Sequence, residues 1–203
     1  QIIKRDGTKE HLNIDKIHFV VEEACKGLAG VSSSLIEMNA NIQFYDGMAT
    51  HEIQEVLVRS ANDLISLDAP NYQYAAARLL SYGLYKQVFG QYDSVPLINM
   101  INKNIERGLY DPAILESYTE EEIATLDRYI HHKRDENFTY AGLRQVVDKY
   151  LVQDRSTGEL FETPQHMYMM IAATLFANYP AETRMHYVRR YYDATSLFKV
   201  NIP

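Results

Sequence analysis

Apolar residues recur along this chain with helical spacing almost throughout, broken twice by short stretches with strand alternation. Residues 2–5 and 8–12 flank Asp6 and Gly7, and an Asp-Gly pair accepts the positive φ values of a tight turn, so the chain is expected to begin with a β-hairpin. Asn13 then caps a first helix carrying Ile14, Ile17, Val21, Ala24 and Leu28, with Gly27 and Gly30 at its end. A second helix begins in the Ser32 to Ser34 cluster, where Ser34 and Glu37 have capping-box spacing; Leu35, Met38 and Ile42 are its expected buried stripe, and Gly47 stops it. Thr50 is the expected cap of a third helix bearing Ile53, Val56, Leu57, Ala61, Leu64 and Ile65. A fourth follows Pro70, with Tyr74, Ala77, Leu80, Leu84 and Val88 in register and Gly90 as its stop.

Beyond Gly90 the spacing stays helical. Helices are expected from Pro96 to about Arg107, after Pro112, after the Thr119 and Glu122 capping box, and over 138–150. A second hairpin turns at Ser156, Thr157 and Gly158. Thr163 and Pro164 then open a helix through Met167, Met170, Ile171 and Leu175, and after Pro180 a last helix runs from about Ala181 to Phe198. The fold class is mainly α: a four-helix bundle with a small β-hairpin cap over residues 1–92, then an α-helical domain with a second small hairpin over 93–203. The alternating ending LFKVNIP reads as a strand cut short, which suggests a fragment.

Composition narrows the chemistry. The chain has 203 residues, enough for a real core, and a formal charge of −7 with scattered basic residues, so no nucleic-acid partner is expected. No apolar run approaches the ~20 residues of a membrane span, so no membrane partner is expected either. Cys25 is the one cysteine, which excludes a disulfide framework, a CxxC redox pair and a cysteine-based zinc site within this chain; a cytoplasmic setting is the default. Cys25 itself lies beside an apolar stripe and reads as packing. His51, His131 and His132 lack i, i+4 ligand spacing, so no metal site is expected and a solvated or capping role is. Neither GxxxxGK[ST] nor GxGxxG is present. The 16 Tyr and 7 Phe suit core and inter-helix packing.

The first hairpin is the strongest candidate for chemistry. Lys4 and Arg5 sit on one strand, Glu10 on its partner, and Asn13 and Lys16 on the first helical turn. A ligand between hairpin and helix start would meet cations for phosphates, a carboxylate for a ribose or amine, and free helix N–H groups.

Those residues also carry a family resemblance. KRDGTKEHLNIDKI, YDGMATHEIQ and DAPNYQYAAARLLSYGLYK resemble the ATP-cone, a regulatory domain at the N-terminus of many ribonucleotide reductases. YTEEEI, RDENFTYAGL, KYLVQDRSTGELFETPQ and YPAETRMHYVRRYYDATSLFKVNIP resemble the region that follows it in the bacterial class I large (alpha) subunit, so the likeness covers essentially the whole chain. The absence of a CxxC pair counts against the zinc-ribbon repressors that also carry the cone. The resemblance implies that effector contacts fall on Lys4, on Glu10, His11, Leu12, Asn13, Ile14, Asp15 and Lys16, on Thr50 and on Lys86, with Arg5 and Ile53 flanking them. Lys4 and Lys86 would neutralise phosphates, Glu10 and Asn13 would suit base and sugar, and the ligand would be ATP as activator or dATP as inhibitor, with Mg2+ on the phosphates. One departure stands out: where the bacterial pattern has a histidine four residues after that threonine, this chain has Gln54.

The resemblance also implies partners, namely other alpha subunits and the radical-bearing small (beta) subunit, and a parent activity. That activity is ribonucleoside-diphosphate reductase of the thioredoxin-disulfide type, which serves deoxyribonucleotide biosynthesis and DNA replication. Its radical and redox thiols cannot lie here, so this chain alone has no catalytic residue and is expected to be inactive. The rival expectation is a non-enzymatic helical interaction module with a degenerate, non-binding cone.

Overall fold

The structure is a computed structural model, and it describes residues 1–4 and 6–200. Among the described residues it has ten α-helices, one 3-10 helix and a three-stranded sheet, so the mainly α expectation holds. The chain divides into two compact units. One comprises residues 1–84 with 136–146, the other 85–135 with 147–203.

The first unit starts with β1 (Ile2–Ile3) and β2 (Lys9–Glu10), the expected hairpin. Gly7 has φ 82°, and Asp6 Oδ1 accepts from the Thr8 backbone N–H at 2.9 Å and the Thr8 hydroxyl at 2.6 Å. This closes the turn. A third strand, β3 (Met48–Ala49), pairs in parallel with β1, and the sheet order is β2-β1-β3. Sequence pattern did not reveal β3, because two residues are too few for any alternation to register.

Helices α1 (Ile14–Cys25), α2 (Ser33–Asn41), α3 (Thr50–Asn62) and α4 (Tyr72–Phe89) supply the core of this unit, with Val21, Ala24, Ile36, Ala40, Val56, Leu57, Ala61, Ala75, Ala76 and Leu79 buried. Two expectations are corrected here. Leu35, Met38 and Ile42 are not the buried stripe of α2 but stand 48%, 66% and 83% exposed, because the helix packs through Ile36 and Ala40 instead. Small Ala40 permits close approach, whereas the larger trio lies around the helix axis from it. The cap of α2 is Ser32, whose hydroxyl accepts from the Leu35 N–H, rather than Ser34. At the other end of the bundle Arg78 donates to the carbonyls of Ala24 (3.3 Å) and Lys26 (2.8 Å), a cation at the negative end of α1.

The second unit contains α5 (Leu97–Glu106), α6 (Ala113–Ser117), α7 (Glu120–Tyr129), α9 (Pro164–Phe176) and α10 (Ala181–Ser196). Helix α8 (Tyr140–Lys149) and the 3-10 helix (His132–Asn137) each contribute residues to both units. The Thr119 and Glu122 capping box forms as expected, and Glu122 also takes a two-point ion pair from Arg184. Those bonds hold the Glu122 carboxyl below the usual carboxylate range. The second hairpin is a minimal one: a single Gln153 to Leu160 bridge, with Asp154 N–H bonded to Glu159 O at 2.8 Å.

Candidate functional site

The parallel pairing of β1 with β3 organises the candidate residues. Its register places Ile3 beside Ala49, so Lys4 and Thr50 each follow directly on a paired residue. Lys4 Nζ lies 2.6 Å from Glu10 Oε2 across the hairpin, both side chains being about two-fifths exposed. The hydrogen bond and charge of Glu10 raise the Lys4 pKa. Two of the expected contacts therefore satisfy one another, and an anion at Lys4 must compete with the Glu10 carboxylate. Asn13 caps α1, its Oδ1 accepting from the Lys16 N–H at 3.0 Å. This leaves the Asn13 side-chain NH2 as a donor at the exposed helix start.

Thr50 differs from expectation. The N-cap of α3 is Ala49, and Thr50 is the first helical residue, making no capping bond. Glu52 does the work from within the first turn, its Oε2 accepting from the Ala49 N–H at 2.7 Å and its Oε1 from the Tyr45 hydroxyl at 3.1 Å. The Ala49 N–H and the Tyr45 hydroxyl together lower the Glu52 pKa. The Thr50 hydroxyl thus has no competing duty at the helix end.

Close in sequence to these groups lies a cavity of about 230 Å³ walled by Ile2, Leu12, Phe44, Tyr45, Met48 and Ile53 together with the polar Gln1 and Asp46. It is below the roughly 300–1,000 Å³ of whole-ligand pockets, a size for one ring system rather than an entire ligand. Leu12 and Ile53 are the two apolar members of the expected set that enter it. Ile2, Phe44, Tyr45 and Met48 were not among the expected contacts; the aromatic pair just before the Asp46 and Gly47 turn was the signal available for them. His11, Ile14, Asp15 and Lys16 are exposed and lie outside this wall. Arg5 lies outside the described residues. Gln54 is turned elsewhere, donating to the Leu79 carbonyl at 2.5 Å.

Lys86 belongs to the second unit, exposed in the last turn of α4 with its ammonium 5.3 Å from the centre of the Tyr92 ring. That unit also holds a larger cavity, about 490 Å³, lined mainly by apolar side chains of α6 and α9, and none of the expected contacts borders it. Glu162 at its wall is buried and accepts from the Tyr110 hydroxyl and the Val152 N–H. Burial raises the Glu162 pKa. Nearby chemistry is structural in character. Asp135 accepts from the Tyr85 hydroxyl (2.9 Å) and Gln165 Nε2 (2.8 Å), while Gln165 Oε1 accepts from the Tyr192 hydroxyl at 2.6 Å. His132, expected in a solvated or capping role, packs its ring 5.0 Å from that of His166. Burial lowers both imidazoles, His166 to about 3. Burial likewise pushes the Cys25 thiol up to about 11, so it is not a thiolate near neutral pH.

Comparison with known proteins agrees with this anatomy. Residues 1–87 match the ATP cone domain, and residues 136–203 match the all-alpha domain of ribonucleotide reductase. The chain is 50% identical over 202 residues to ribonucleoside-diphosphate reductase 1 subunit alpha of Escherichia coli K12, covering all of this chain and 26% of that protein. It is 48% identical to the alpha subunit from Haemophilus influenzae, again over its whole length and 27% of that protein, and 39% identical to that of phage T4 over 26% of it. The matches place a cone domain and the all-alpha domain of ribonucleotide reductase in one chain. The chain belongs to the ribonucleotide reductase alpha-subunit family, and it spans about a quarter of the length of the curated relatives it matches.

Proposed function

We propose that residues 1–92 form an effector-binding domain that takes ATP or dATP, with Mg2+ on the phosphates, and so regulates a ribonucleoside-diphosphate reductase in the cytoplasm. Residues 93–203 are then the first helical part of the large subunit. The observation that carries this proposal is the grouping, within the cone match, of the Lys4 and Glu10 pair, the capped start of α1 and a ring-sized cavity whose wall includes Leu12 and Ile53. Polar groups for phosphate and sugar beside a slot with apolar and aromatic walls and a few polar groups are what a nucleotide requires. Lys4, Arg5, Glu10 to Lys16, Thr50, Ile53 and Lys86 are the proposed contacts. The Lys4 and Glu10 ion pair opens on binding, phosphate replacing carboxylate at the ammonium.

In the whole enzyme the effector acts by linkage. It shifts the assembly of alpha with beta subunits only by its differential affinity for the assembled states, typically ~1–3 kcal/mol of coupling. ATP and dATP differ by one 2′-hydroxyl, so opposite outcomes rest on that contact or on a pose it controls. Reduction itself belongs to cysteines this chain lacks, and the chain alone binds effector without turnover.

The exposed Leu35, Met38 and Ile42 face favours a second reading, an interaction module whose cone binds no nucleotide. Titration of the wild-type chain with ATP separates the two, and a double variant then tests the contacts. Lys4→Ala with Lys86→Ala weakens ATP binding by roughly tenfold or more, the scale of lost charge-assisted phosphate contacts, with an unchanged helical CD spectrum. Unchanged affinity in that variant removes the assigned contacts.

A further inference from the structure

A glycine inside a helix costs up to about 1 kcal/mol relative to alanine, so Gly83 in the middle of α4 needs a reason. Its surroundings supply one. A Cβ added to Gly83 would stand 2.9 Å from Gln54 Cγ, closer than real side chains approach. The space is filled by Gln54 of α3, whose Nε2 reaches the Leu79 carbonyl at 2.5 Å. By the i to i−4 rule, that carbonyl is also the helical acceptor for the Gly83 N–H, and its second lone pair can take a side-chain donor only where a neighbour leaves room. Gln54 and Gly83 thus form a lock between α3 and α4.

We infer that Gln54 is a positioning residue for the effector site. It does not wall the cavity, whereas its neighbour Ile53 does, and Thr50 lies one turn before it on the same helix. The bond to Leu79 fixes the first turn of α3 in rotation about its axis, so that Ile53 and Thr50 meet the ligand in one orientation. A shift of this turn alters the slot without removing any group that touches nucleotide. The inference rests on the proposed function for the identity of the ligand, and on geometry alone for the lock.

Two variants of the full 203-residue chain test it. Gly83→Ala retains Gln54 and takes away its space; Gln54→Met keeps the side-chain length and removes the donor. Each is expected to weaken ATP binding by roughly tenfold and to speed amide exchange over residues 53–57, the first amides of α3 with helical acceptors. The double variant is no worse than either single, since both break the same bond. Additive losses overturn the inference, as does a lowered melting temperature with wild-type ATP affinity and wild-type exchange, which makes Gln54 merely structural. If the wild-type chain binds no ATP, the effector proposal fails separately. Amide exchange then decides the lock alone: faster exchange in both variants supports it, and unchanged exchange overturns it.

Discussion

The two units handle their polar groups in opposite ways. In the first, Lys4, Glu10, Asn13 and Lys16 sit at the surface around short strands, held by one ion pair and one cap that a ligand can displace. In the second, Asp135, Gln165 and Tyr192 are buried, and the carboxylate, amide and phenols there hold one another in hydrogen bonds. Exposed groups that are lightly engaged can exchange partners and serve recognition. Buried groups that are fully engaged fix one packing and resist exchange.

The largest effect that follows is in the second unit. The Tyr192 hydroxyl donates to Gln165 and accepts from the His131 N–H at 2.8 Å, so Tyr192→Phe takes the hydroxyl away from the buried Gln165 oxygen and from the partly buried His131 N–H. A loss of about 3 kcal/mol is expected from urea unfolding. A loss below the error of the fit would mean the network is not coupled to folding.

Acid comes next. His166 stays neutral in the fold to about pH 3, while in the unfolded chain it takes a proton near its ordinary value. The unfolded state therefore binds more protons in that window, and stability falls as pH drops below about 6.5, by roughly 2 kcal/mol at pH 5. Glu162 acts in the opposite sense, since its raised pKa costs stability as pH rises through the carboxylate range. Comparing wild type with His166→Phe cancels the Glu162 contribution, and the variant should lose less of its stability between pH 7 and 5 than wild type does. Equal losses in the two proteins contradict the assignment.

The smallest effect belongs to the exposed face of α2. Ile42→Lys should change stability by no more than about 0.5 kcal/mol, whereas a true core position would lose several times that. A larger loss would restore Ile42 to the core.

How much of this was legible in the sequence depended on the range of the cause. Caps and turns act over three or four residues, so Asn13 with Lys16, Thr119 with Glu122, and Asp6 with Gly7 could all be read directly. The stripe of α2 could not, because the helix has apolar residues on two faces and only its neighbours decide which one is covered; Ile36 and Ala40 won over the larger Leu35, Met38 and Ile42. Strand β3 exists only through its pairing with β1, forty-six residues earlier by the Ile2 to Met48 register. The cavity wall followed it out of reach, since Phe44, Tyr45 and Met48 line the slot only once β3 is in place. Gln54 was visible as a departure from the family pattern, but its bond to Leu79 depends on the missing side chain of Gly83, twenty-nine positions away.

The central claim is that the cone match, residues 1–87, binds an adenine nucleotide. Isothermal titration of the 203-residue chain with ATP and then dATP, in the presence of magnesium, tests it most directly. Saturable binding of both nucleotides, weakened together by Lys4→Ala with Lys86→Ala, is the predicted result. No heat from either nucleotide, with the helical spectrum intact, would contradict it.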